Sequence, residues 1–222
     1  MAESSSPADF EREGYAVHRA VVAPAVLDFI AAEYQMMLAN KRLVYNDGQV
    51  EKGYAGYALM PSETLMQLLL PFAQQASGYK LFPTYSYGRV YVKGAELKRH
   101  MDRPSCEISM SVMISQSGNK PWPLFFETKS GEKRGVEMAP GDLVMYRGME
   151  LWHWREPFEG ENQLQLFLHY VRQDGPHAEH RFDKRAMLGA PTVYQAKIPD
   201  RPQEPSKPQP FAIFQTPPAG KR

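Results

Sequence analysis

The sequence predicts an α+β fold, mainly β, in which helices come first and an antiparallel double sheet, a sandwich or jelly roll, follows. Three observations carry that prediction. Apolar residues recur at helical spacing only in the first part of the chain. From Pro83 onward, short β-type runs are separated by turn residues roughly every 8–12 positions. Finally, 222 residues with 43% apolar content can bury a core without staples, and a single cysteine rules out a disulfide framework.

Residues 1–7 are small and polar and read as an N-terminal arm. Val26, Phe29, Ile30 and Tyr34 then fall at helical intervals, with Pro24 suited to a first turn. A second helix is expected over 62–76, where Leu65, Leu68, Leu69 and Phe72 form a stripe. Pro71 can kink or split it, and Gly78 can stop it. The stretch 45–57 between them has turn chemistry in Asn46-Asp47-Gly48 and several tyrosines but no period, which predicts a long surface loop. The β-type runs are 84–92, 106–114, 124–127, 135–138, 142–146 and 163–172.

In 106–114, Cys106, Ile108, Met110, Val112 and Ile114 alternate with Glu107, Ser109 and Ser111, the signature of a strand with two unlike faces. Gln163, Gln165, Phe167 and His169 alternate likewise with Leu164, Leu166, Leu168 and Tyr170. The organisation expected is one domain over 8–190, with a helical front at 8–82 and a β core at 83–172. A proline-rich arm follows at 191–222, where Phe211, Ile213 and Phe214 form an apolar cluster able to dock on the domain or a second copy.

Charge excludes some functions. Lys+Arg of 26 against Asp+Glu of 25 leaves +1, too little to hold a phosphate backbone, so nucleic acid is not an expected partner. The start lacks a basic-then-apolar signal, and no run approaches the length that crosses a bilayer, so a reducing cytoplasm is expected, without membrane association.

Two of the six histidines sit in contexts that suggest chemistry. His100 and Asp102 lie two apart in an extended segment and therefore project to one side, and His153 can return beside them in a jelly roll. Two neutral imidazoles and one carboxylate make the facial triad that suits non-haem Fe(II) and leaves positions open for O2 chemistry. Taken singly, His-x-Asp is a common surface pair and His153, between Trp152 and Trp154, reads as a packed histidine; the combination carries the metal reading.

The segment from Tyr91 to Asp102, of the form Y-x-x-G-x-x-L-x-x-H-x-D, resembles the first-strand signature of the 2-oxoglutarate/Fe(II)-dependent oxygenases. Pro140-Gly141-Asp142, Tyr146, His153, Pro157 and Gly160 are similar to the second half of the same domain, nearest the prolyl-hydroxylase-like branch. The resemblance covers about 83–172. It implies a double-stranded β-helix with N-terminal helices packed on one sheet, and Fe(II), 2-oxoglutarate and O2 as cofactor, cosubstrate and oxidant. His100, Asp102 and His153 would be the iron ligands, with Tyr91 in the cosubstrate pocket. The reaction implied is hydroxylation of a C–H bond in a small-molecule or peptidyl substrate, with release of succinate and CO2. Halogenating members replace the carboxylate, so Asp102 favours hydroxylation.

One departure stands out. The branch carries Lys or Arg ten residues after the distal histidine to pair with the far carboxylate of 2-oxoglutarate, and this chain has Gln163. Arg89, two residues before Tyr91 on one strand face, is the first candidate replacement. Arg155 is the second and Arg172 the third, and Gln163 remains a candidate contact. For the substrate, Tyr54 and Tyr57 on the 45–57 loop are a candidate lid, and Trp122, Trp152 and Trp154 are candidate walls. Arg103 would meet an acidic group or pair with Glu107, and Cys106 reads as a small buried residue. Two other readings keep the jelly roll: a cupin-like metal dioxygenase that does not use 2-oxoglutarate, and a non-catalytic binding domain. A monomer or a homodimer fits either way.

Overall fold

In a computed structural model describing residues 6–118, 120–128 and 130–190, the described residues open with a reciprocal cap at Ser6, so that Ser6 and Pro7 of the expected arm belong to a helix start while residues 1–5 lie outside the described residues. Ser6 Oγ accepts from the Asp9 amide at 3.3 Å, and the Asp9 carboxylate accepts from the Ser6 amide at 2.9 Å. This opens helix α1, Pro7–Glu13. The expected proline-rich arm and its Phe211, Ile213 and Phe214 cluster lie outside the described residues.

Strand β1, Tyr15–His18, precedes helix α2, Pro24–Ala39, which has Pro24 in its first turn as the sequence suggests. The second expected helix is two: α3, Met60–Leu68, and α4, Leu70–Ser77, because Pro71 cannot continue an i→i−4 ladder and instead occupies the first turn of α4. Gly78 ends α4 at φ 78°.

The expected surface loop at 45–57 is a correction. Strands β2, Val44–Tyr45, and β3, Gly53–Tyr57, form a hairpin that extends a sheet, leaving only the turn between them unpaired. Two glycines and no β-branched residue hide the strand pattern of β3, whose order comes from pairing with β4, Leu81–Val92. Pro83 lies inside β4 where the register against its neighbour shifts, a break that tolerates a residue without an amide donor.

The remaining strands are β5 (Leu97–His100), β6 (Ile108–Ser117), β7 (Leu124–Glu127), β8 (Lys133–Val136), β9 (Leu143–Tyr146), β10 (His153–Arg155) and β11 (Asn162–Arg172). They form a major sheet in the order β1-β9-β6-β11-β4-β3-β2 and a minor sheet in the order β5-β10-β7-β8, antiparallel throughout. β8 sits two residues earlier than the sequence predicts. A 3-10 turn covers Pro104–Cys106, so the strand expected from Cys106 begins at Ile108.

The alternation in β11 is the organising feature. Leu164, Leu166, Leu168 and Tyr170 face the helices and join Ile30, Tyr34, Met66 and Ala73 in the larger core. The odd positions face the minor sheet, where two smaller clusters form around Tyr91, Trp122 and Phe167 and around Phe126, Tyr146 and Leu151. Three strands from the first 60 residues thus extend a sheet whose centre comes from the second half of the chain. No helix among the described residues is long and apolar enough to cross a membrane.

Asp142, from the Pro-Gly-Asp turn before β9, fastens the front of the chain to the sheet. It is 6% exposed and accepts from the amides of Ala20 and Ala139, both at 2.9 Å, and from Arg19 Nη1 at 2.8 Å. Burial works against its charge, and these donors outweigh burial and hold its carboxyl below the usual range. Asp142→Ala is expected to cost about 2 kcal/mol, read as a lower urea midpoint at unchanged slope.

Candidate metal centre and its cavity

β5 and β10 are neighbours in the minor sheet, and His153 pairs directly with His100. Their ring centroids lie 4.3 Å apart. Nδ1 of His100 faces the Lys98 carbonyl at 2.8 Å, and Nδ1 of His153 faces the Leu151 carbonyl at 2.9 Å. A carbonyl only accepts, so both rings carry their proton on Nδ1 and present bare Nε2 atoms. Each Nε2 is 3.5 Å from Asp102 Oδ1, and one ligand atom from each of the three residues falls within 4.8 Å of the others.

Asp102 is held from behind. Its amide donates to the Gly148 carbonyl at 2.8 Å, and Oδ2 accepts from Ser109 Oγ at 3.1 Å, which leaves Oδ1 for the histidines. Burial opposes the charge, but the facing imidazoles overcome it and keep the carboxyl far below the ordinary range. Gly148 is required by contact: a Cβ there would lie 2.3 Å from Asp102 Oδ2 and 2.6 Å from the Cys106 carbonyl oxygen. The donor set, two imidazole nitrogens and one carboxylate oxygen, fits Fe(II) in a facial triad.

The four expected cosubstrate residues face the space between the sheets, in unequal states. Tyr91 is fully buried, edge-on to Trp122 at 4.7 Å. Gln163 pairs with Tyr91 in register, but its Nε2 donates to Gln165 Oε1 at 2.9 Å. Arg89 is buried and already neutralised: it is ion-paired with Asp47, donates to Gln49 Oε1 at 2.9 Å and touches the Tyr91 hydroxyl at 3.3 Å. Arg155 is different. It is 0% exposed, donates through Nη1 to the Trp122 carbonyl, and stacks at 4.6 Å on the Trp122 ring. Its Nε and Nη2 have no hydrogen-bond partner, and no carboxylate pairs with it among the described residues. Burial pulls its pKa down to about 10. Arg172, the third candidate, is bonded to Glu107 at 2.8 Å, which also removes Glu107 as a partner for Arg103.

A cavity of about 550 Å³ opens over His100 and Asp102; of the four cosubstrate candidates Arg89 lines it, whereas Tyr91, Arg155 and Gln163 lie outside its lining. Of the expected substrate residues, Tyr57 and Arg103 line it. Tyr54 does not: it pairs with Val90 on the opposite face and packs in the helix-side core beside Tyr45. Trp154 does not either, because alternation sends it outward between the inward His153 and Arg155, where it stacks on Phe125 at 5.7 Å. Trp152, beneath Arg99, belongs to no cavity wall, and Trp122 packs deeper against Arg155.

Three wall residues escape the sequence reading. Asp47 holds Arg89 and accepts from the Tyr87 hydroxyl at 2.6 Å. Asp183 receives Arg103 through two bonds, 2.9 and 2.8 Å, and the Tyr57 hydroxyl. It is carried on a run of left-handed residues, Phe182, Asp183 and Lys184 at φ 54°, 53° and 62°, a strained conformation of the kind that clusters at functional sites. Nothing periodic marks that segment. His169 is the third; its only signal was its place on the polar face of β11. Burial lowers its pKa to about 4, and Arg103 acts in the same direction, against Asp102. Burial likewise pushes the Cys106 thiol up, so it is no nucleophile, as its sequence context suggests.

No protein-family model and no curated protein sequence matches the chain. Solved structures do. A Pseudomonas putida prolyl-4-hydroxylase superposes with a TM-score of 0.62 at 18% identity, over 75% of this chain and 96% of its own. The epimerase SnoN in complex with Fe3+, alpha ketoglutarate and nogalamycin RO gives 0.65 at 14%, over 83% and 90%. HygX from Streptomyces hygroscopicus, with nickel and 2-oxoglutarate bound, gives 0.60 at 14%, over 74% and 85%. The likeness establishes the double-stranded β-helix fold expected from the sequence.

Gly148→Ala is expected to weaken Fe(II) binding about 10–100-fold, since it displaces the carboxylate's outer support; direct metal titration reads this. His169 gives a pH dependence. Below about pH 6.5 an unfolded histidine takes up a proton that the folded ring refuses until about 4, so stability is lost as pH falls through that window. The loss reaches about 3 kcal/mol. Urea midpoints of the metal-free protein should fall accordingly, and less steeply in His169→Phe.

Proposed function

We propose that the protein is an Fe(II)- and 2-oxoglutarate-dependent dioxygenase that hydroxylates a C–H bond of a small molecule, with residues 8–190 acting as one catalytic domain. The observation that carries this reading is the orphaned guanidinium of Arg155. An unpaired buried cation costs several kcal/mol, so this interior lacks an anion. A carboxylate accepting from Nε and Nη2 supplies it, in the two-bond geometry that suits arginine.

With the His100, Asp102 and His153 triad on the same minor sheet, a ligand that reaches both the metal and Arg155 needs acid groups at both ends. 2-Oxoglutarate has them. Arg155 is therefore the proposed anchor, although Arg89 is the one that lines the cavity and that sequence position favours, because Asp47 already satisfies Arg89. The rival without 2-oxoglutarate leaves Arg155 unexplained. The solved structures that share the fold include complexes with 2-oxoglutarate and with iron or nickel, which supports the same reading.

Bound together, Fe(II) and 2-oxoglutarate supply oxidative decarboxylation to succinate and CO2, coupled to insertion of one atom of O2 into the substrate C–H bond. The chain's own residues do the positioning. His100, His153 and Asp102 Oδ1 would hold the metal, and Arg155 would pair with the far carboxylate. Tyr91 and Trp122 wall the cosubstrate from water, and Phe167, Tyr146 and Leu97 keep the cavity floor apolar. Tyr57 and Arg103, tied to Asp183, border the substrate side.

Under anaerobic conditions, Fe(II) with 2-oxoglutarate is expected to give the weak visible charge-transfer band of the chelate, absent in His100→Ala and Asp102→Ala. Metal binding without that band would sink the cosubstrate assignment. Arg155→Ala is expected to weaken 2-oxoglutarate binding about 10–100-fold, the worth of a charge-assisted pair. Arg89→Ala, which strands Asp47, should lower the melting temperature more than it lowers that affinity; the reverse pattern would move the anchor to Arg89.

A further inference from the structure

We infer that His169 forms a substrate subsite beside the metal, presenting a bare Nε2 that accepts a hydrogen bond from a hydroxyl or amine donor on the substrate. The inference deepens the proposed function and rests on it for the identity of the ligand as substrate. The geometry stands independently.

His169 faces the cavity from β11 and is 5% exposed. Its ring leans on Tyr85 at 4.5 Å, whose hydroxyl meets Cys106 Sγ at 3.1 Å, so the imidazole is held on one side by packing. Its Nδ1 lies 2.9 Å from Ser109 Oγ, on the neighbouring strand and directly in register. The serine has a single proton. Also within its reach are Asp102 Oδ2 at 3.1 Å and the Cys106 carbonyl oxygen at 3.3 Å, which only accept, and the Tyr146 hydroxyl, which can donate to the serine oxygen and so need not compete for its proton.

If Ser109 donated to the imidazole, a buried carboxylate oxygen and a carbonyl would both face its lone pairs. If it donates to either acceptor, favouring the charged one, Nδ1 must carry a proton and donate to Ser109. The chain of donors therefore runs from His169 Nδ1 through Ser109 to Asp102. Only one proton resides on this buried neutral ring, so Nε2 is a lone-pair acceptor, and among the described residues no donor meets it.

The position gives this acceptor a use. A nitrogen of His169 is within 4.8 Å of an Asp102 carboxylate oxygen, and Nδ1 is the one turned to Asp102 through Ser109, so the ring borders the triad while Nε2 is left for the cavity that His100, Asp102 and His169 line together. A carboxylate or an ether oxygen gains nothing there. A hydroxyl or an amine N–H does, and would place its own carbon or the adjacent one toward the open metal face. Arg103 and Asp183 at the mouth are already paired and leave the selection of donors to His169.

The test uses full-length protein loaded with Zn(II), with and without 2-oxoglutarate, and uniformly labelled with 15N-histidine; His169→Phe assigns the ring. Long-range 1H–15N spectra are expected to show the Nδ1–H form. Ethanolamine and 1,2-propanediol, each compared with its fully methylated counterpart, serve as probes. The donor compounds should move Nε2, with about 5-fold preference over the methylated ones, the worth of one hydrogen bond. Ser109→Ala, which frees the tautomer, should lose that preference while the fold is retained. An Nε2–H form in the wild type, equal shifts with methylated probes, or no shift with any probe would overturn the inference. None of these readouts needs turnover or the iron chelate, so a missing charge-transfer band would count against the proposed function alone.

Discussion

The pairing of β10 with β5 is the constraint on which the site depends. It sets His153 against His100, and the carbonyls of Leu151 and Lys98 fix the two tautomers so that both Nε2 atoms converge on Asp102 Oδ1. The local pair His100 and Asp102 and the distant His153 can face one point only because two strands of the minor sheet lie side by side. The major sheet contributes the other constraint, through Ser109 behind Asp102. Metal geometry is thus written into backbone hydrogen bonds, which are less adjustable than side-chain rotamers.

Charge compensation separates the two buried arginines. Arg89 and Arg155 lie on different sheets, both near Tyr91, and a sequence offers no way to rank them. Burial does. Arg89 has an anion, two amide or phenol neighbours and three aromatic faces, a complete environment. Arg155 has one carbonyl and one indole face. A desolvated cation lacking half its partners is stable only if something else completes it, which is why the proposed function turns on the incomplete arginine rather than on the one nearest the motif.

Much of this was legible in the sequence for identifiable reasons. The β11 alternation of leucines with glutamines, Phe167 and His169 showed which face meets the helices, because period-2 burial is written directly in residue type. The convergence of His100, Asp102 and His153 was legible because the first two are local in sequence and the third lies on a recognisable strand. β3 was not, since Gly53 and Gly56 carry no β signal and the strand exists only through its partner. Trp154 was placed at the site by proximity to His153, yet adjacent strand residues point apart. Asp47 and Asp183 act through contacts 42 and 80 residues away in sequence, from turns without a pattern.

The ion pairs also explain how a polar cavity can suit the proposed function, which needs water kept out. Asp47 with Arg89, and Asp183 with Arg103, cancel within the wall, so the cavity offers hydrogen-bonding edges without a free charge that would retain a hydration shell. On the proposed function, the metal and Arg155 together balance Asp102 and the cosubstrate's two carboxylates, and the interior is neutral when loaded. A substrate entering such a space is selected by shape and by hydrogen-bond direction rather than by net charge. On the inference drawn for His169, its Nε2 lone pair is then a stronger determinant than Arg89 or Arg103, because it lies on the cavity wall and is not already spent on a neighbour.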